Sequence, residues 1–227
     1  MTGRWLARLR PVPGAGSRIV CVPRAGSGPA ALRPLVGALP ATADVVGIRL
    51  PGRESRVHEP PLTSMEALVP LLLGALEEEA GPPFALVGDC SGALVAFELA
   101  RAIHRASLPG LRAVVVVAHP PPDAAGECGP RAAMDPIERT RSLGGPGLEV
   151  LDDGQMAAIA RRTLVADYAM FDGYVYSAGP PLEVPIVAVA GRQDRSTTIE
   201  AMAGWSRHTT ADFTLHVIAG EHFLVTT

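Results

Sequence analysis

Residues 83–106 read PFALVGDCSGALVAFELARAIHRA: an apolar run, a G-D-C-S-G turn, and a helical pattern. A strand that passes into a helix through so short a turn leaves room only for small residues two places before and two places after its central residue. Gly88 and Gly92 meet that demand around Cys90. A register centred on Ser91 puts Asp89 and Ala93 at the flanks, and Asp89 is too large. The stretch therefore predicts a strand–turn–helix unit with the Cys90 thiol lifted at its apex. Such units belong to parallel sheets covered by helices on both faces.

The rest of the chain agrees. Apolar runs recur at 18–23, 44–50, 83–89, 111–119, 184–191 and 212–220, with helical patterns at 29–38, 63–79, 91–106 and 197–207. The central runs are continuously apolar, as expected of strands covered on both faces. This alternation predicts a mostly parallel, doubly wound α/β sheet, and the G-x-C-x-G turn, which resembles the hydrolase nucleophile elbow, implies the α/β-hydrolase fold. Residues 122–182 break the alternation: 135–145 and 152–174 read as helices separated by Gly and Pro. The expected organisation is a core of 1–121 and 183–227 with a helical lid at 122–182. All three tyrosines, Tyr168, Tyr174 and Tyr176, fall in the lid with Phe171 among them. They read either as an aromatic wall of a substrate pocket, chiefly Tyr168, Phe171 and Tyr174, or as the packing stripe of a lid helix.

Composition narrows the function classes. The 227 residues are 48% hydrophobic, enough for one sizeable core, and the net charge of −3 gives nucleic acid no electrostatic footing. All 20 basic residues are arginine, and asparagine is absent, which reads as the codon bias of a GC-rich genome. The three cysteines, Cys21, Cys90 and Cys128, show neither metal spacing nor a paired framework, so no metal is expected and a reducing cytoplasm fits. Cys21, inside a predicted strand, reads as core, and Cys128 as an incidental lid residue. No apolar run is long enough to cross a bilayer, and a soluble cytoplasmic protein is expected.

A thiol nucleophile needs a base, and the base an orienting acid. Of six histidines, His222 lies in a loop just after the last predicted strand. His58, His104, His208 and His216 read as surface or packing residues, and His119 either lines the pocket or stiffens a strand exit. Asp194 follows the strand at 184–191 and is the expected acid, with Asp123 as the alternative from the earlier strand. The order nucleophile, acid, base is that of α/β-hydrolases. For an oxyanion hole the expected amides are those of Ser91 and Ala25, with Gly26 next after Ala25.

The chain also resembles the type II thioesterases of polyketide and nonribosomal peptide assembly lines. The resemblance rests on WLARLRPVPGAGSRIVCVPRAGSG, LPGRESRVHEPP, FALVGDCSGALVAFELAR, AGRQDRSTTIEAMAGWSRHT and GEHFLV, and so spans essentially the whole chain. It implies an acyl group presented as a thioester on the phosphopantetheine arm of a carrier protein, with no bound cofactor. The departures are specific. Cys90 stands for the family's serine, Asp89 for its histidine, Ser91 for its methionine and Arg24 for its aromatic residue or histidine, and the sequence ends soon after His222, where the family adds a helix.

A serine converts a thioester into a less reactive oxoester, whereas a thiol exchanges one thioester for another and keeps the acyl group reactive toward amines, thiols and carbanions. Cysteine variants of this broader fold resemble chain-releasing cyclases, of the Dieckmann and lactam-forming kinds, and aminoacyl shuttles between carrier proteins. Ring-forming release or acyl transfer is the expectation. Editing hydrolysis is the alternative, and a non-catalytic carrier-protein binder is a third reading that an intact Cys90, Asp194 and His222 set disfavours.

Overall fold

The computed structural model describes residues 2–79, 81–124, 134–144 and 151–225. Strands β1 (Leu6–Arg10), β2 (Arg18–Val22), β3 (Asp44–Ile48), β4 (Phe84–Asp89), β5 (Leu111–Val117), β6 (Ile186–Gly191) and β7 (Phe213–Ile218) form one sheet in the order β1-β3-β2-β4-β5-β6-β7. Strands β2 to β7 run parallel, and β1 pairs antiparallel with β3. The helices are α1 (Arg33–Ala38), α2 (Met65–Glu78), α3 (Gly92–Arg105), α4 (Pro136–Arg141), α5 (Gly154–Asp172) and α6 (Ile199–Ala203). The expected α/β architecture is present.

Successive strand residues point to opposite faces, and the core divides accordingly. Val20, Val22, Val46, Ile48, Leu86, Val114 and Val116 join one cluster with α2 and α3. Cys21, Val45, Val87 and Val117 join a second cluster on the other face with Leu32. Both faces being covered explains the continuously apolar runs. Helix α3 is buried along nearly its whole length, from Gly92 to Ala100. Fully burying a Leu or Phe such as Leu94, Phe97 or Leu99 is worth ~1.5–3 kcal/mol each, so the helix behind Cys90 is firmly anchored.

Three features depart from the expected elements, one being the helix expected over 197–207, which is α6 followed by a 3-10 helix, Gly204–His208. Strand β1 has no apolar run, because it is an edge strand whose arginines do the anchoring. Arg8 reaches Asp44 at 2.9 Å, and Arg10 donates to the Val36 carbonyl at 2.8 Å. The helix expected over 29–38 is split into a 3-10 turn, Pro29–Leu32, and α1. Pro34 lacks an N–H and is best accommodated in the first turn of a helix, and it stands there in α1.

Within 122–182, the described residues hold helices α4 and α5 and one isolated bridge, Leu182 to Thr209. Cys128 lies outside the described residues. Helix α5 is capped by Asp153, which accepts from the Gln155 and Met156 amides, and it buries Thr163, Leu164, Ala166, Asp167 and Met170 on one stripe. No described helix is long and apolar enough to cross a membrane.

Candidate active site

The turn between β4 and α3 is as tight as its glycines imply. A Cβ on Gly88 would lie 2.4 Å from Ala93 Cα, and one on Gly92 would lie 2.5 Å from the Val22 carbonyl oxygen. Both obstacles are backbone and cannot yield. Cys90 itself has φ of +50°, a left-handed conformation that costs a non-glycine residue about 1–3 kcal/mol. The turn holds it through the Cys90 N–H to the Val117 carbonyl, 2.9 Å, and the Ala93 N–H to the Cys90 carbonyl, 2.9 Å. The thiol is thereby presented in one fixed direction.

Cys90 Sγ lies 2.9 Å from His222 Nε2, and His222 Nδ1 lies 2.9 Å from Asp194 Oδ2. The three side chains, drawn from the ends of β4, β6 and β7, are nearly excluded from solvent. Asp194 Oδ1 accepts from the Ser196 amide (2.7 Å), the Ser196 hydroxyl (2.7 Å) and the Thr197 amide (3.2 Å), leaving Oδ2 for the imidazole. Ser196 Oγ also stands 2.7 Å from His222 Nδ1. Burial alone would raise the Asp194 pKa, but the His222 hydrogen bond and charge and the Ser196 donors hold it below the usual carboxylate range. For His222, burial disfavours the imidazolium. The charge of Cys90 and the bonds to Asp194 and Cys90 outweigh burial and raise the pKa to about 10.

The alternatives Asp123 and His119 line the same cavity but hydrogen-bond to other groups than Cys90 and His222. Asp123 pairs with Arg207 at 2.7 Å and His208 at 3.0 Å. His208 is buried among Phe97, Tyr176 and Trp205, while His58, His104 and His216 are exposed. His119 lines the same cavity as Cys90. Burial drives its pKa down to about 4, and its Nδ1 donates to the Pro120 carbonyl at 2.8 Å. Asp89, which is 1% exposed, reaches Arg24 at 3.4 Å, and its Oδ1 has no hydrogen-bond partner among the described residues. Arg24 in turn lies 4.4 Å above the Phe223 ring. Cys21 is fully buried in the core.

A cavity of about 950 Å³ opens on Cys90 and His222. Tyr168, Phe171 and Tyr174 all line it. The Tyr168 hydroxyl pairs with Thr140 Oγ1 at 2.9 Å, and the Tyr174 hydroxyl donates to Glu98 at 2.7 Å. Both hydroxyls are thus anchored, and the rings form wall. Among the described residues no group of His, Cys, Asp and Glu is arranged to hold a metal ion.

The model of the thioesterase domain matches residues 17–227. The chain belongs to the thioesterase family. It is 31% identical over 225 residues to the gramicidin S biosynthesis protein GrsT of Aneurinibacillus migulanus, covering 98% of this chain and 88% of that protein. Among solved structures it is similar to the type II thioesterase BorB of the borrelidin biosynthetic cluster, at 32% identity and TM-score 0.87, over 96% of this chain and 90% of that one. It is also similar to RedJ, the thioesterase of the prodiginine pathway in Streptomyces coelicolor, at 32% identity and TM-score 0.84, over 94% and 81%.

One part of this thioesterase site was not legible in its sequence. Asp167, on the buried stripe of α5, accepts two bonds from Arg53, at 2.7 and 2.8 Å, and one from the Gly26 amide at 2.7 Å. Arg53 also donates to the Ser27 carbonyl at 3.0 Å. The pair ties α5 to the turn after β2 and commits the Gly26 N–H, while the Ala25 N–H of the same turn donates to Ser91 Oγ at 2.9 Å. A carboxylate on the apolar stripe of a helix was the available signal. Removing one partner of a buried ion pair costs about 3–5 kcal/mol. Asp167→Ala is therefore expected to lower unfolding free energy by that order in a denaturant titration, and Asp167→Leu with Arg53→Met to recover most of it.

Proposed function

We propose that this thioesterase takes an acyl or peptidyl chain from the phosphopantetheine thioester of a carrier protein onto Cys90. It then releases the chain by ring formation or by transfer to an acceptor other than water. The observation that carries the reading is the 2.9 Å approach of Cys90 Sγ to His222 Nε2, backed by Asp194. The assembly-line setting is supported by similarity to a gramicidin S biosynthesis protein and to type II thioesterases from borrelidin and yersiniabactin clusters.

The attack is made with the proton shared between Cys90 Sγ and His222 Nε2 held on His222, whose pKa is raised. Cys90 Sγ attacks the thioester carbon, and the carbonyl electrons move to oxygen, held by the Ala25 and Ser91 amides. As the intermediate collapses, the carbon–sulfur bond to pantetheine breaks and His222 gives its proton to the departing sulfur. Neutral His222 then accepts a proton from the second nucleophile. The product acyl-enzyme is a thioester, so it stays reactive toward an amine, thiol or carbanion on the bound chain. Helices α4 and α5 wall the cavity over Cys90, and excluding water there favours the internal acceptor.

The acylation step requires His222 protonated. Its pKa is raised to about 10, so the required form persists across neutral pH and is lost as pH rises through that value. The limb of single-turnover acylation that descends with rising pH should lie near pH 10, whereas an ordinary histidine would put that limb near 6.5. The release step is read from products. A carrier-bound chain bearing a competent internal nucleophile should leave as a ring. Free acid as the sole product across such chains would favour editing hydrolysis, the reading that similarity to type II thioesterases supports.

A further inference from the structure

Ser91 stands at the N-cap of α3, where a serine ordinarily accepts a bond from the helix's own amides. Here it makes no capping bond. Its buried oxygen instead accepts the Ala25 N–H across the elbow, at 2.9 Å. Its own O–H has no acceptor among the described residues, and the side chain lines the cavity that holds Cys90. The donor expected to grip the thioester oxygen is therefore occupied at rest by a group of the protein, and that group carries an uncommitted proton.

We propose that the Ser91 hydroxyl is itself a catalytic group of the oxyanion site, acceptor for the Ala25 amide at rest and donor to the substrate oxygen in the transition state. The inference rests on Cys90 being the acyl acceptor. A neutral thioester oxygen is about as good an acceptor as a hydroxyl, so replacing Ser91 on Ala25 gains little when substrate binds. A developing oxyanion is a far stronger acceptor, since charge-assisted bonds are roughly twice as strong as neutral ones. The exchange therefore favours the transition state over the ground state, which is what raises turnover. As sulfur bonds to carbon and the carbonyl pair moves to oxygen, that oxygen takes the Ala25 N–H. The released Ser91 O–H adds a third bond beside the Ser91 N–H. When the carbon–sulfur bond to pantetheine breaks, the carbonyl re-forms and Ser91 returns to Ala25.

The test compares wild type with Ser91→Ala using three acyl-pantetheine probes of the same chain: the thioester, an amide isostere that cannot be cleaved, and an aldehyde that Cys90 adds to reversibly. Loss of one oxyanion donor costs about 10²–10³ in rate in well-formed holes. For an added third donor, an acylation rate about 10–100-fold lower is expected, with aldehyde affinity falling by a similar factor. Amide affinity should hold or rise, because Ala25 is freed, and that result also reports an intact fold. An acylation rate within about twofold of wild type, or amide and aldehyde affinities falling together, overturns the proposal. Failure of the wild-type thiol to take up acyl mass is a separate result and overturns the Cys90 reading beneath it.

Discussion

His222→Ala is expected to slow acyl-enzyme formation at neutral pH by about 10²–10⁴-fold, the range that positioned acid–base groups supply. Two losses combine. The thiol no longer has a cation 2.9 Å from its sulfur, and the departing pantetheine sulfur no longer receives a proton. Asp194→Asn should be milder at pH 7, because the imidazole remains. Its signature is the pH profile: without the carboxylate that holds Nδ1 at 2.9 Å, the His222 pKa falls and the descending limb moves to lower pH. Asp123→Asn, which touches Arg207 and His208, should leave acylation rates near wild type. Stopped-flow release of pantetheine thiol measures all three. Equal damage from Asp123→Asn and Asp194→Asn would break the assignment of the acid.

Cys90→Ser should change the product as well as the rate. The serine variant forms an oxoester, a poorer electrophile toward a carbanion or amine on the bound chain. His222 remains able to activate water against that ester. On a carrier-bound chain with an internal nucleophile, the product is expected to shift from ring toward free acid, or the enzyme to stall as the acyl form. Overall turnover should fall because a serine hydroxyl is a far weaker acid than a thiol and gives up its proton to His222 less readily. An enzyme built for hydrolysis behaves otherwise, yielding free acid from both forms with serine equal or faster. The ratio of ring to acid, measured chromatographically from the same chain, separates the two.

The residues legible in the sequence were those constrained by local sterics or strand ends. Gly88 and Gly92 announced the turn because no other side chain fits against Ala93 and Val22. Asp194 and His222 were readable because each follows an apolar strand whose end had to reach the same edge of the sheet. The parallel sheet followed from runs buried on both faces, whereas β1 escaped notice because an edge strand anchored by Arg8 and Arg10 carries no such run. Asp167 and Arg53 are 114 positions apart, and no local pattern links them. Ser196 sits in a polar turn like many others, and its place beside His222 depends on how that turn folds back. The Ser91 hydroxyl was hidden for a different reason: its amide had an expected role, and its side chain bonds to a turn 66 residues away.

The central claim is that the acyl chain passes through the thiol of Cys90. Incubating the enzyme with an acyl-pantetheine thioester, quenching in acid and mapping its peptides by mass tests this directly. Acyl mass is expected on the peptide containing residue 90, removable by neutral hydroxylamine as a thioester should be, and absent from Cys90→Ala. Acyl mass on Ser91, or undiminished labelling of Cys90→Ala, would contradict it.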